Sequence, residues 1–258
     1  MKKLLALISA SVLLLTSCSS DDNKSSNSTG TLLSQIIETF DDGSVETLSF
    51  VYNGNKIVRY SWDSSLQDET IFTYTGNLIT KEEYFFDDGA GDSYSEVMNY
   101  EYNSNGKLIK SIRNSDGGDV YVDDFTYNTN GTVSFTTTHN SVLEANGMIY
   151  FNGNQPYRKE VTQYPGETYE TTWVEETFFD NNVNPFNSVI GLSEIEIACP
   201  IVNVGYQGIS NNATEVKIDG VTDWVIVLAY NANNMPDTED FTDPSNPEYN
   251  STSQYIYN

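Results

Sequence analysis

The chain has 258 residues, with 12 Lys and Arg against 37 Asp and Glu, a formal net charge of −25 at pH 7. An acidic balance of this size argues against nucleic acid and anionic lipid headgroups as partners, since both need a basic footprint. With one histidine (His139), two cysteines (Cys18 and Cys199) and no HExxH, GxSxG or phosphate-loop pattern, the chain lacks the residue sets of metalloproteases, serine hydrolases and nucleotide hydrolases.

Residues 1–17 read as a secretory signal: Lys2 and Lys3 give a positive start, and Leu4 to Leu15 an apolar run. That run is about 12 residues, whereas a spanning helix needs roughly 20. It ends in Leu15-Thr16-Ser17-Cys18, which resembles the bacterial lipobox of an aliphatic residue, two small residues and cysteine. The resemblance implies cleavage before Cys18 and lipid on its thiol, so that the membrane is a partner through the acyl chains, each buried methylene contributing about 0.8 kcal/mol. Residues 18–30 are rich in Ser, Asn and Asp with almost no apolar content, the composition of a flexible acidic tether. Asp21-Asp22 resembles the acidic signal that sends Bacteroidota lipoproteins to the outer surface. The expected address is therefore an outer-membrane lipoprotein exposed at the cell surface, with a periplasmic-facing anchor as the alternative. Because Cys18 is committed to lipid, Cys199 has no partner for an intrachain disulfide. In the run Ile195 to Cys199 it reads as a small buried hydrophobe.

Residues 31–258 are read as one β-repeat domain. The unit is an aromatic-x-aromatic strand end, a polar Asn/Gly turn, and an aliphatic residue opening the return strand. It appears as Phe50-Val51-Tyr52-Asn53-Gly54-Asn55-Lys56-Ile57 and Phe72-Thr73-Tyr74-Thr75-Gly76-Asn77-Leu78. Further copies are Tyr100-Glu101-Tyr102 with Asn103 to Leu108, and Phe125-Thr126-Tyr127 with Asn128 to Val133. Weaker copies end at Phe151, Phe179 and Tyr230, and the units recur at roughly 25-residue intervals. Alternation such as Met98, Tyr100, Tyr102 against Asn99, Glu101 marks strands with one apolar face. Asn-Gly tolerates the positive φ of tight hairpin turns. One unit is thus a hairpin plus a return loop, and consecutive units form an antiparallel meander with an aromatic ladder at one strand end.

These units resemble the YD repeats of bacterial RHS-type surface proteins and the tyrosine-rich repeat lipoproteins of Bacteroidota, whose domain has no assigned function. The resemblance runs from about Phe50 to Pro236, with Asn181 to Phe186 (NNVNPF) and Asn231 to Pro236 (NANNMP) as typical endings. It implies an all-β antiparallel meander curved into an open sheet or half-barrel, and no catalytic residues. The Asp of the YD pattern is mostly Asn here.

Between Pro185 and Asn212 the repeat breaks. A short helical or irregular insertion near 186–200 is expected; a buried strand or a helix covering the open face of the sheet both fit the apolar run Ile195 to Val204. Val221 to Tyr230 (VTDWVIVLAY) is the most hydrophobic strand and is expected to be central. Asp237 to Asn250 reads as an acidic loop before a final strand over Gln254 to Tyr257.

For ligand binding, Tyr60, Trp62, Tyr84 and Trp173, with Phe86 and Tyr164, lie on or near return strands, where a concave face would collect aromatic rings for stacking on sugars. The competing reading makes them the core of a thin sheet. The Asp/Gly loops at 87–92 and 116–119 lack the spacing of a calcium loop and read as solvated turns. Glu82-Glu83 and Glu175-Glu176 point to opposite strand faces and cannot act as acid pairs. No catalytic residue, metal or cofactor is expected. The functional expectation is a non-enzymatic surface lipoprotein that binds or scaffolds a glycan or an envelope protein. Its alternatives are a periplasmic-facing component holding an apolar ligand in a half-barrel and a carboxylate-dependent hydrolase.

Overall fold

Period-two alternation carries almost the whole described chain into antiparallel strands. The computed structural model describes residues 31–63, 67–87, 89–201 and 209–258; the expected signal segment 1–17, the expected tether 18–30 and Cys18 lie outside the described residues. The first half runs β1 (Leu33–Phe40), β2 (Val45–Asn53), β3 (Lys56–Trp62), β4 (Gln67–Thr75), β5 (Leu78–Asp87), β6 (Ser93–Tyr102), β7 (Leu108–Ser115) and β8 (Val120–Tyr127). The second half has β9 (Val133–His139), β10 (Val142–Asn152), β11 (Gln155–Gln163), β12 (Thr171–Val183), the one-turn helix α1 (Leu192–Ile195), β13 (Asn211–Ile218), β14 (Val221–Tyr230), β15 (Pro236–Thr242) and β16 (Ser251–Tyr257).

Each strand pairs with its sequence neighbours, as a meander requires, but the sheet is a closed barrel and not an open sheet or half-barrel. β1 pairs with β16 from Leu33↔Tyr257 to Phe40↔Ser251, and the Ser34 hydroxyl donates to the Ile256 carbonyl at 2.9 Å. Closure removes the two rows of unpaired backbone groups that an open sheet would expose. The repeat could not announce this, because β1 precedes the first unit and β16 follows the last.

The repeat has a definite mechanical content. The second aromatic of a unit sits opposite the residue after the turn, as in Tyr52↔Ile57, Tyr74↔Ile79 and Tyr102↔Leu108, with a register shift beside each pair. This bulge turns both residues inward. Ile57, Ile79 and Leu108 are accordingly all but inaccessible, and burying each side chain fully is worth about 1.5–3 kcal/mol. The first aromatics, Phe50, Phe72, Tyr100 and Phe125, form the next buried layer. The turn asparagines explain why Asp is dispensable. The Asn103 side-chain oxygen accepts from the Asn105 and Lys107 amides at 2.9 and 3.1 Å, and Asn231 does the same for Asn233 at 2.9 Å. An amide oxygen serves this turn as well as a carboxylate.

A barrel of sixteen strands would leave a wide lumen if its side chains alone had to fill it. The segment between β12 and β13 fills part of it. Phe186, Val189, Leu192, Ile195, Ile197, Ala198 and Ile201 pack against the inward residues. The Ile190 amide donates to the Asn55 carbonyl at 2.9 Å, and the Tyr74 hydroxyl donates to the Ile190 carbonyl at 3.0 Å. Gly191 passes so close that a Cβ there would lie 3.1 Å from Ile79 and from Tyr74, with φ +90. The expected insertion is thus an irregular strap with one helical turn, and it enters the lumen; the apolar run to Val204 lies partly outside the described residues.

Two expectations about the last third are corrected. β14 is not a central strand, since a closed barrel has none; Val221 and Val227 are 71% and 62% exposed while Ile226 and Leu228 face inward. The acidic stretch from Asp237 is not all loop, because Pro236–Thr242 forms β15, and the final strand begins at Ser251. Acids at both parities of β15, and inward serines 251 and 253, hid the alternation.

The outer wall is charged. Arg59 pairs with Glu69 at 3.3 Å, Lys81 with Glu83 at 2.8 Å, Lys110 with Asp124 at 2.9 Å, and Lys217 with Glu215 at 3.5 Å. Arg158 lies between Glu160 at 2.7 Å and Glu176 at 3.0 Å. Outward apolar residues sit between polar ones: Ile71 and Val97 both flank Glu83.

Candidate functional site

Inward residues of β1 to β4 and β13 to β16, with the lumen strap, line a cavity of about 390 Å³. Leu48 and Trp62 face each other across β2 and β3, as do Phe50 and Tyr60. The ring ladder continues from Phe50 to Tyr60 at 6.2 Å and from Tyr60 to Phe72 at 5.8 Å. Phe186 of the strap meets Phe50 edge-on at 5.2 Å. Ala213, Ile226 and Leu228 form the facing wall. The Tyr60 hydroxyl is pushed up to about 12, chiefly by burial and next by the charge of Glu82.

Glu38, Glu239, Ser253 and Tyr255 make the polar end of the cavity. Ser253 of β16 is opposite Glu38 on one side and Glu239 on the other, which aims both carboxyls into the same space. The Ser251 hydroxyl donates to Glu38 at 2.5 Å, and the Tyr255 hydroxyl donates to Glu239. Burial holds the Glu239 carboxyl above its ordinary range; the Tyr255 bond opposes this and the Glu38 charge adds to it.

Of the residues singled out in the sequence, Tyr60 and Trp62 line this cavity. Tyr84 does not. It packs on Tyr94 at 6.1 Å, and its hydroxyl bonds the Asp68 carboxyl. Trp173 is 9% exposed, opposite Val161, with the Lys159 ammonium 5.4 Å from its ring centre; it is part of the core. Phe86 sits opposite Tyr94, and Tyr164 meets Tyr169 edge-on at 5.0 Å. The aromatics therefore do not form one stacking platform.

A second polar group crosses the lumen. Lys159 pairs with Glu175 at 3.0 Å, Asp123 accepts from Ser111 at 2.7 Å and Thr137 at 2.6 Å, and Tyr100 donates to Glu82 at 2.8 Å. Burial raises the carboxyls of Glu82 and Asp123 above their ordinary range despite these bonds. The adjacent acids divide as strand geometry demands: Glu82 and Glu175 point in, Glu83 and Glu176 out to Lys81 and Arg158. In the Asp/Gly loops the carboxylates accept from backbone amides, Asp87 from Gly89 of its own turn at 2.8 Å and Asp116 from Ser95 of the neighbouring β6 at 2.8 Å. His139 bonds Asp119 at 2.8 Å, while Cys199 lies in the strap beside the Met98 sulfur at 3.8 Å. Burial pushes its thiol up to about 12, far from a reactive thiolate.

Glu38, Glu239 and Tyr255 were not singled out in the sequence. Their signal is a carboxylate at an inward parity, as in Ile36-x-Glu38 and Glu239-x-Phe241, and it is legible only once the inward parity is known.

Neither a protein-family model nor a curated protein matches the sequence. Among solved structures, the fold is similar to a porin-like protein from Bacteroides uniformis ATCC 8492, at TM-score 0.50 and 13% identity over 88% of this chain and 98% of that one. A porin-like protein from Bacteroides vulgatus ATCC 8482 is similar at TM-score 0.50 and 11% identity, over 88% and 99%. At these identities the likeness is one of fold.

Proposed function

We propose that this chain is a non-enzymatic envelope lipoprotein, anchored through Cys18, whose barrel stands in water and holds a small apolar ligand in its lumen. The observation that carries the reading is the aromatic-walled cavity of about 390 Å³ inside the barrel, within the range of small-ligand sites. Of the expected roles, this supports the apolar-ligand one over glycan stacking or scaffolding. The porin-like proteins supply the comparison for the barrel topology. A lipid-embedded barrel has an apolar outer band and a polar lumen, whereas here charged pairs such as Arg59–Glu69, Lys81–Glu83 and Arg158–Glu176 stand on the outer wall, and the inside holds a hydrophobic core beside the Lys159–Glu175 pair. Each Lys or Arg facing the bilayer midplane would cost about 2–4 kcal/mol. The anchor, and not the wall, is then the membrane contact, and the acidic tether with Asp21-Asp22 favours the outer surface. The YD-like repeats act in this reading as hairpin modules that build the wall, which β1 and β16 close.

The test is a titration of the full-length protein in amphipol with 1-octanol, followed by tryptophan fluorescence. One site per chain is expected, and Ala213→Phe, which fills the cavity, should abolish it. Binding that does not saturate, or that survives Ala213→Phe unchanged, refutes the reading.

A further inference from the structure

We infer that the lumen cavity is a site for amphiphilic amines, with an alkyl body among the aromatic walls and an ammonium held between Glu38 and Glu239. The inference rests on reading the cavity as a ligand site and adds the class of ligand.

Two carboxyls line this cavity, and among the described residues no Lys, Arg or His does. Their partners, the Ser251 and Tyr255 hydroxyls, are neutral; they orient the carboxyls without balancing charge. The opposite wall shows what balance looks like in this lumen, where Glu175 has the Lys159 ammonium 3.0 Å away. The cavity end has two acids and no such cation.

Geometry makes the two acids one receptor. Both stand opposite Ser253 on the flanking strands, so their Cα atoms are separated by two strand spacings, roughly 10 Å. Two glutamate side chains converging from that distance leave room for one ammonium, whose three N–H donors can reach both. A carboxylate ligand would meet like charge at the same place. A neutral one would displace water from both acids and return no counter-charge. Of the other polar groups on the wall, Asn184 accepts from the Phe186 amide at 2.8 Å, the Asn212 side-chain amide donates to Asp180 at 3.0 Å and Tyr60 bonds Thr70, while Leu48, Phe50, Ile226 and Leu228 are apolar.

The experiment compares 1-octanol, n-octylamine and octanoate, which share one chain length, on the full-length protein in amphipol at pH 7. Octylamine should bind at least about tenfold tighter than octanol, as charge-assisted bonds add to the same apolar burial, and octanoate should bind weakest. Glu38→Gln with Glu239→Gln should remove the amine advantage and leave octanol binding in place. Leu228→Lys serves as a second variant: Leu228 is opposite Glu239 on β14, so it places an ammonium inside and should abolish the amine preference. Octanol binding without an octylamine advantage overturns the amine class and leaves the cavity reading standing. Absence of binding by either removes both. An octylamine advantage that persists in Leu228→Lys and in the double Gln variant also overturns the assignment.

Discussion

Lys159→Met is the sharpest test of how the lumen is held together. The Lys159 ammonium lies 3.0 Å from Glu175, and the two side chains are 3% and 0% exposed. Methionine keeps the length and apolar stem of lysine and removes only the charge, so the variant leaves a carboxylate in the core without its counter-ion. Breaking a buried pair from one side costs about 3–5 kcal/mol. For a domain of this size each kcal/mol moves the melting temperature by roughly 2–4 °C, so a fall of about 6–20 °C is expected in thermal unfolding followed by circular dichroism. Lys159→Met combined with Glu175→Leu should recover most of the loss, because removing both charges removes the desolvation penalty of each. The Lys159 contact with Trp173 contributes on the order of 2 kcal/mol, and the double variant does not restore it. The reasoning is refuted if Lys159→Met melts within about 2 °C of the parent, or if the double variant melts no higher than the single one.

Two further outcomes follow from the same interior. A Cβ on Gly147 would lie 2.0 Å from the Glu160 carbonyl and 2.6 Å from the Phe135 ring, so Gly147→Ala should destabilise by at least about 1–3 kcal/mol, and a denaturant midpoint equal to the parent's would contradict the packing described. Glu82, Asp123 and Glu239 all have carboxyls raised by burial. The folded chain therefore holds protons that the unfolded chain releases, and this stabilisation is full below the unfolded value of about 4 and lost as pH rises through the raised values. The melting temperature should rise on acidification from pH 7 toward pH 5, and Glu239→Gln should flatten that rise. Relief of the −25 net charge acts on both proteins alike, so equal slopes for parent and variant would show that Glu239 does not contribute.

Much of the wall was legible in the sequence. The alternation around Tyr100 and Tyr102, the Asn-Gly turns and the recurring unit specify hairpins and a meander because strand faces and tight turns are local properties. The same local signals located Tyr60 and Trp62, which do line the cavity, and equally Tyr84 and Trp173, which do not. Residue type and strand parity place a ring on the inner face; they do not say how far along the strand it lies or what stands across from it.

The sequence by itself determined the acidic charge, the lipobox-like start at Cys18, the unpaired Cys199, the repeat and the break near Pro185. Tertiary structure alone decided that β1 meets β16, that the strap turns into the lumen, and that Glu38 and Glu239 share one cavity with Trp62. The physical reason is distance along the chain. Hairpins join residues a few positions apart, whereas closure joins Leu33 to Tyr257, and a cavity exists only where walls from both ends of the chain fail to touch.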